Sequence, residues 1–142
     1  MHNKILYNDI DIIEAKIWEL QSILRRKKWE YLGAGRHRIV YRAPNGNRVI
    51  KIAHCVEGIE ANKQEYLLST DPCYRIQTLR FVNVPTAKVF GIGSVLGLSI
   101  ISMEWVDSHT AFSLPAWSHN VDGRQVGINV DGEFVAYDFS MC

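Results

Sequence analysis

Large aliphatic residues recur at three- and four-residue spacing near the start of the chain, at Ile10, Ile13, Ile17, Leu20 and Leu24. That period predicts an amphipathic helix over 8–28 with one apolar stripe, to be buried against a sheet or a second copy of the chain. Asn8 or Asp9 is placed to cap it, and Asp9, Asp11 and Glu14 fall where a helix N-terminus favours negative charge. Arg25, Arg26, Lys27 and Lys28 fall at the opposite end, where the helix dipole favours cations, and read as a solvated helix end.

The pattern then shortens to that of strands. Trp29 to Leu32 and Ile39 to Arg42 flank a Gly-rich turn, and Arg48 to Ala53 follows the turn Ala43-Pro44-Asn45-Gly46-Asn47, in which Asn45-Gly46 supplies positive-φ residues. A second helix is predicted from about Ile59 to Thr70, with Ile59, Asn62, Tyr66 and Ser69 on one side and Asp71-Pro72 as its stop. Ala87 to Gly91 and Leu98 to Val106 read as two further strands, with Gly91, Gly93 and Gly97 marking the turn between them. Residues 107–124 lack a clear period and read as a loop. Val126 to Val130 and Glu133 to Phe139 form a closing hairpin around Asp131-Gly132.

Composition narrows the function classes. The chain has 142 residues, 47% apolar and 22% charged, enough for one domain with one core. A formal net charge of +1 gives no field to steer it to nucleic acid or an anionic membrane. No apolar run has the length of a membrane span, and the first residues do not read as a signal peptide. Cys55, Cys73 and Cys142 are odd in number and irregular in spacing, which fits a reducing cytoplasm rather than a disulfide framework. His2, His37, His54, His109 and His119 stand without carboxylates or cysteines at ligand spacing, so no metal cluster is expected, and Cys55 reads as a small strand-end residue.

The candidate chemistry lies in the strands. Gly33-Ala34-Gly35-Arg36-His37-Arg38-Ile39-Val40 joins two strands, and glycines there let backbone N–H groups approach phosphate oxygens. Lys51 sits in the apolar strand Val49-Ile50-Lys51-Ile52, where burial is costly unless an anion pairs with it. Glu65, in the helix that follows, is the natural partner.

Gly-rich hairpin, strand lysine and helix glutamate, in that order, resemble the small lobe of protein kinases. Gly33, Gly35 and Val40 match the family's glycine-rich pattern, with Arg38 in place of its third glycine; Lys51 and Glu65 match its ion pair. By the same resemblance Met103, Glu104 and Val106 belong to the hinge that would hold adenine, and Asp138 in Tyr137-Asp138-Phe139-Ser140 would bind magnesium, Ser140 replacing a glycine. The run from Gly58 through Asn62 to Glu65 resembles short kinase-like proteins of bacteria and phages. The implied fold is α+β: an antiparallel sheet of about five strands with one packed helix over 29–106, preceded by the N-terminal helix and followed over 107–142 by a truncated linker and the hairpin. ATP and magnesium are the ligands the resemblance implies.

The departures bear on activity. Only about twenty residues separate the hinge from the closing hairpin, where the family has several helices and its catalytic loop. His119-Asn120-Val121-Asp122 resembles a remnant of that loop with its aspartate one position late, and Gly127 stands where its asparagine would be. Asp122 is the catalytic candidate and Gln125 a substitute metal ligand. With nothing after Cys142, the parts that position an acceptor are expected to be missing. The expectation is a non-catalytic binding or inhibitory module from a phage or mobile element, with a protein partner, a homodimer through the N-terminal helix as one form of assembly, and nucleotide as a ligand. The alternative is a minimal or split ATP-dependent protein kinase.

Overall fold

The computed structural model describes residues 6–70, 85–107 and 126–137. Helix α1 runs Ile10–Arg26 after a short 3-10 turn, Leu6–Asn8. Asp9 is its cap, the carboxylate accepting from the backbone N–H groups of Asp11 and Ile12 at 3.1 and 3.3 Å. The helix ends two residues before the expected limit. Lys28 takes φ +67°, and the Trp29 N–H bonds back to the Leu24 carbonyl at 3.0 Å, closing a left-handed C-terminal cap on a residue other than glycine.

The sheet has five antiparallel strands in the order β1-β2-β3-β5-β4: β1 Glu30–Ala34, β2 Arg38–Arg42, β3 Arg48–Ala53, β4 Val89–Val95 and β5 Leu98–Glu104. Strand β4 runs on through Gly91 and Gly93, where the glycine spacing predicts a turn. Its register with β5 supplies hydrogen bonds that outweigh the glycines' weak strand preference. The connection to β5 is instead Leu96-Gly97, both at positive φ, as a two-residue hairpin demands. At the β2–β3 turn Gly46 takes positive φ, at +80°, and Asn45 does not.

Strand β3 is central, and every residue from Val49 to Ala53 is buried. Both of its faces are therefore covered. On one face Ile13, Leu20 and Leu24 of α1 join Tyr7, Ile39, Tyr41, Ile50, Ile52 and Leu98 in an apolar cluster, with Ile17 partly buried beside it. Ile10, the first member of the predicted stripe, is 71% exposed and takes no part in this cluster. The rest of the stripe is covered by the chain's own sheet, which removes that reason for a second copy.

Helix α2, Val56–Thr70, and a short hairpin, β6 Val126–Ile128 with β7 Phe134–Ala136, serve the other face. Leu68, Val49, Ile101, Met103, Val106, Val135 and Ala136 form the second cluster. Helix α2 starts three residues before the expected Ile59. Its buried positions are Gly58, Ile59, Ala61, Asn62, Glu65 and Leu68; of the four residues expected on one side, Ile59 and Asn62 belong to this face and Tyr66 and Ser69 are partly buried. Small and polar residues carry this face, so hydrophobic periodicity could not locate it. Gly58 is required there: a Cβ would lie 2.4 Å from the His37 carbonyl oxygen and 2.9 Å from the Ala53 Cβ. No helix among the described residues is long and apolar enough to cross a membrane.

Candidate functional site

The site is built on the α2 side of the sheet, around Glu65. Residues alternate across a strand, so Arg38 and Val40 of β2 face the same side. Lys51 pairs with Val40 and Ala53 with Arg38 in the β2–β3 register, which sets the two cationic residues on neighbouring strands facing α2. Lys51 Nζ lies 3.0 and 3.2 Å from the two Glu65 carboxylate oxygens and donates to the Tyr137 carbonyl at 3.3 Å. The expected strand–helix ion pair is formed, in the interior of the protein: Lys51 is 7% exposed and Glu65 fully buried.

Arg38 reads in the sequence only as a departure from glycine. Its guanidinium donates to Glu65 Oε1 at 2.8 Å and to the Asn62 side-chain oxygen at 3.2 Å. The Asn62 amide in turn donates to Ser99 Oγ at 3.0 Å, tying α2 to β5. Charged groups are buried only if hydrogen bonds satisfy them: the Glu65 carboxylate accepts from Arg38 and Lys51, and the Arg38 guanidinium donates to Glu65 and Asn62. Burial is the largest influence on Glu65 and pushes its pKa up. Attraction by Lys51 and then Arg38, with their hydrogen bonds, outweighs it and holds the carboxyl below its ordinary value.

The Gly-rich turn is compact. Gly35 donates its N–H to the Arg38 carbonyl at 2.8 Å, and the His54 N–H bonds to the His37 carbonyl at 3.0 Å. Gly33 takes φ +149°, which side chains rarely adopt, and a Cβ there would meet nothing within 4 Å. At Gly35 the nearest atom to a Cβ would be the Arg38 carbonyl oxygen, 3.8 Å away. The backbone of this turn is therefore approachable by a bulky group.

At the hinge-like end Met103 is buried in the second cluster and Val106 is 6% exposed. Glu104 is committed to structure: its N–H bonds to the Lys88 carbonyl and its carboxylate accepts from the Lys88 N–H, both at 2.9 Å. The N–H groups of Trp105 and Asp107 bond to the carbonyls of Asn47 and Ile128, and the backbone of Val106, between them, takes no part in these bonds. The closing hairpin reaches this point directly. A Cβ on Gly127 would come within 2.5 Å of both the Asp107 carbonyl oxygen and Val106 Cγ1. The hairpin is also stitched to 85–87, with the Ala87 N–H on the Ala136 carbonyl and the Ala136 N–H on the Pro85 carbonyl. Asp122, Gln125 and Asp138 lie outside the described residues.

Two further groups escaped the sequence reading. Tyr7 Oη donates to the Ala53 carbonyl at 3.0 Å and accepts from the Ser99 N–H at 2.8 Å, so the segment before α1 is pinned to β3 and β5. Burial, partly offset by the Ser99 bond, raises the Tyr7 pKa. Cys55 Sγ lies 3.3 Å from His37 Nδ1 at the base of the Gly-rich turn, and burial raises the thiol's pKa. Spacing in the sequence gave no sign of either contact, because 46 residues separate Tyr7 from Ala53 and 18 separate His37 from Cys55.

No protein-family model matches the chain, and no curated protein does. Among solved structures, the chain is similar to the Mycobacterium tuberculosis PknI kinase domain, at 16% identity and a TM-score of 0.42 over 80% of this chain and 58% of that one. A single-site alanine mutant of the same domain gives 18% identity and a TM-score of 0.43 over the same shares. The chain thus spans 58% of the length of those kinase domains. Its kinase-like fold is carried by its own features: the five-stranded antiparallel sheet, the helix packed across it, and the lysine–glutamate pair between them.

Proposed function

We propose that this chain is a kinase-like binding module that engages a protein partner as an inhibitor or regulator and does not transfer phosphate to it. The observation that carries this reading is the bond from Arg38 to Glu65 at 2.8 Å. Arg38 replaces the glycine that the resemblance calls for, and its guanidinium grips the glutamate from the turn while Lys51 grips it from the sheet. The pair is thereby ordered by the chain's own side chains, as a rigid scaffold for recognition requires. Residues 108–125, the segment between the hinge-like end and the closing hairpin, are too few for the helices and catalytic loop that position an acceptor.

Nucleotide is a ligand in this reading, not a phosphate donor. The open approach at Gly33 and Gly35 and the cationic side chain of Lys51 fit a polyphosphate, Val40 and Met103 would lie toward the base, and the Val106 backbone suits an adenine edge. Magnesium would fall to Asp138 and Gln125. Bound, it would neutralise phosphate charge, and this chain's residues would hold the nucleotide without an in-line acceptor. Uniform binding of that kind does not accelerate transfer.

The second reading, a minimal or split kinase, is favoured by the Lys51–Glu65 distance of 3.0 Å. A radiolabelled phosphate-transfer assay on wild type and Lys51→Ala, beside a thermal-shift titration with magnesium-ATP, separates the two. The module reading expects no transfer to a protein acceptor by either protein. Catalytic transfer by wild type that Lys51→Ala abolishes would establish the second reading instead.

A further inference from the structure

We infer that His37, Cys55 and Glu57 form a zinc site that clamps the Gly-rich turn to the first turn of α2. Each residue comes from a different piece of chain: the β1–β2 turn, the β3–α2 connection, and the helix itself. Their ligand atoms all lie within 4.8 Å of one another. The Cys55 Sγ to His37 Nδ1 separation is 3.3 Å. Tetrahedral zinc, with Zn–S of about 2.3 Å and Zn–N of about 2.0–2.1 Å, holds a sulfur and a nitrogen roughly 3.5 Å apart, so this pair already has the required spacing. Glu57 is exposed and rotatable, and its carboxylate, within the same 4.8 Å, can turn in to complete the third contact.

The backbone beneath the ligands is fixed without any metal. The His37 carbonyl accepts from the His54 N–H at 3.0 Å, and Gly58 packs against that same carbonyl. The Cys55 carbonyl accepts from Gly58 and Ile59, which anchors the thiol at the helix start. Zinc would replace the thiol proton, which leaves to solvent. One thiolate, one carboxylate and one neutral imidazole then balance the +2 charge. A soft thiolate with imidazole selects zinc over magnesium or calcium. His37 and Glu57 border an open depression of about 470 Å³, with Arg36, Glu60 and Gln64 around it, which has room for a water as the fourth ligand. The inference is independent of the nucleotide reading, because neither Lys51 nor Glu65 belongs to the cluster.

Cobalt(II) is the probe, read by its thiolate charge-transfer band on the full chain, with zinc added to displace it. Wild type should bind one equivalent and lose the band to zinc. Cys55→Ser should abolish the band, and His37→Gln and Glu57→Gln should each weaken binding by about tenfold or more. Cys73→Ser/Cys142→Ser and His54→Gln should leave it intact. Far-UV circular dichroism in metal-free buffer checks that each variant is folded, and Glu57→Gln, an exposed change, keeps the test available if Cys55→Ser is not. A wild type without the band, or a band that survives Cys55→Ser and disappears with Cys73→Ser/Cys142→Ser, overturns the site.

Discussion

Arg38 Nη2 lies 2.8 Å from Glu65 Oε1, the same oxygen that Lys51 Nζ approaches at 3.0 Å. One buried carboxylate therefore fastens two strands to one helix. Replacing it leaves two cations buried around a neutral side chain. Glu65→Gln should destabilise the fold by about 3–5 kcal/mol in urea denaturation at neutral pH. A loss under about 1 kcal/mol would mean the pair is not buried as described.

The same carboxyl makes stability pH-dependent with a defined sign. Its pKa in the folded state is lowered, so its contribution is complete above the ordinary carboxylate pKa and is lost as pH falls through the lowered folded value. The stability difference between wild type and Glu65→Gln should therefore shrink on acidification below about pH 4. Parallel stability curves through that range would contradict the assignment.

Arg38 and Glu65 should be energetically coupled. Arg38→Met keeps the aliphatic stem and removes the donors, and should cost about 2 kcal/mol. In a double-mutant cycle with Glu65→Gln the coupling should fall between about 0.5 and 3 kcal/mol. Additive losses would show that Arg38 acts through packing alone.

Two glycines are held by close approach. Gly58→Ala and Gly127→Ala would force a Cβ to 2.4–2.5 Å from carbonyl oxygens of His37 and Asp107, and each should cost about 1–3 kcal/mol. Gly93→Ala meets nothing within 4 Å and should stay within about 0.5 kcal/mol of wild type. Chemical denaturation of the three variants ranks them directly.

Lys28 offers a change of opposite sign. Its φ of +67° strains a residue that carries a Cβ, and its N–H only closes the helix cap. Lys28→Gly should raise stability by up to about 1 kcal/mol, read as a higher thermal midpoint. A lower midpoint would show that the lysine side chain contributes more than the strain costs.

Periodicity and turn chemistry by themselves determined the elements: the 3.6-residue stripe of α1, the strands on either side of Asn45-Gly46, and the hairpin at Asp131-Gly132. Such signals are local, because a helix or strand must show its apolar side at its own period. Lys51 was legible for a related reason, since a lysine among isoleucines announces a buried partner. The tertiary structure alone decided the rest. The buried face of α2 is written in Gly58, Ala61, Asn62 and Glu65, which have no hydrophobic period, and becomes visible only once β2 and β3 supply donors for it and β5 an acceptor. Arg38 read as a lost glycine until the strand register set it beside Lys51. His37, Cys55 and Glu57 meet only because the β1–β2 turn folds onto the start of α2, a contact of backbone with backbone that side-chain spacing does not encode.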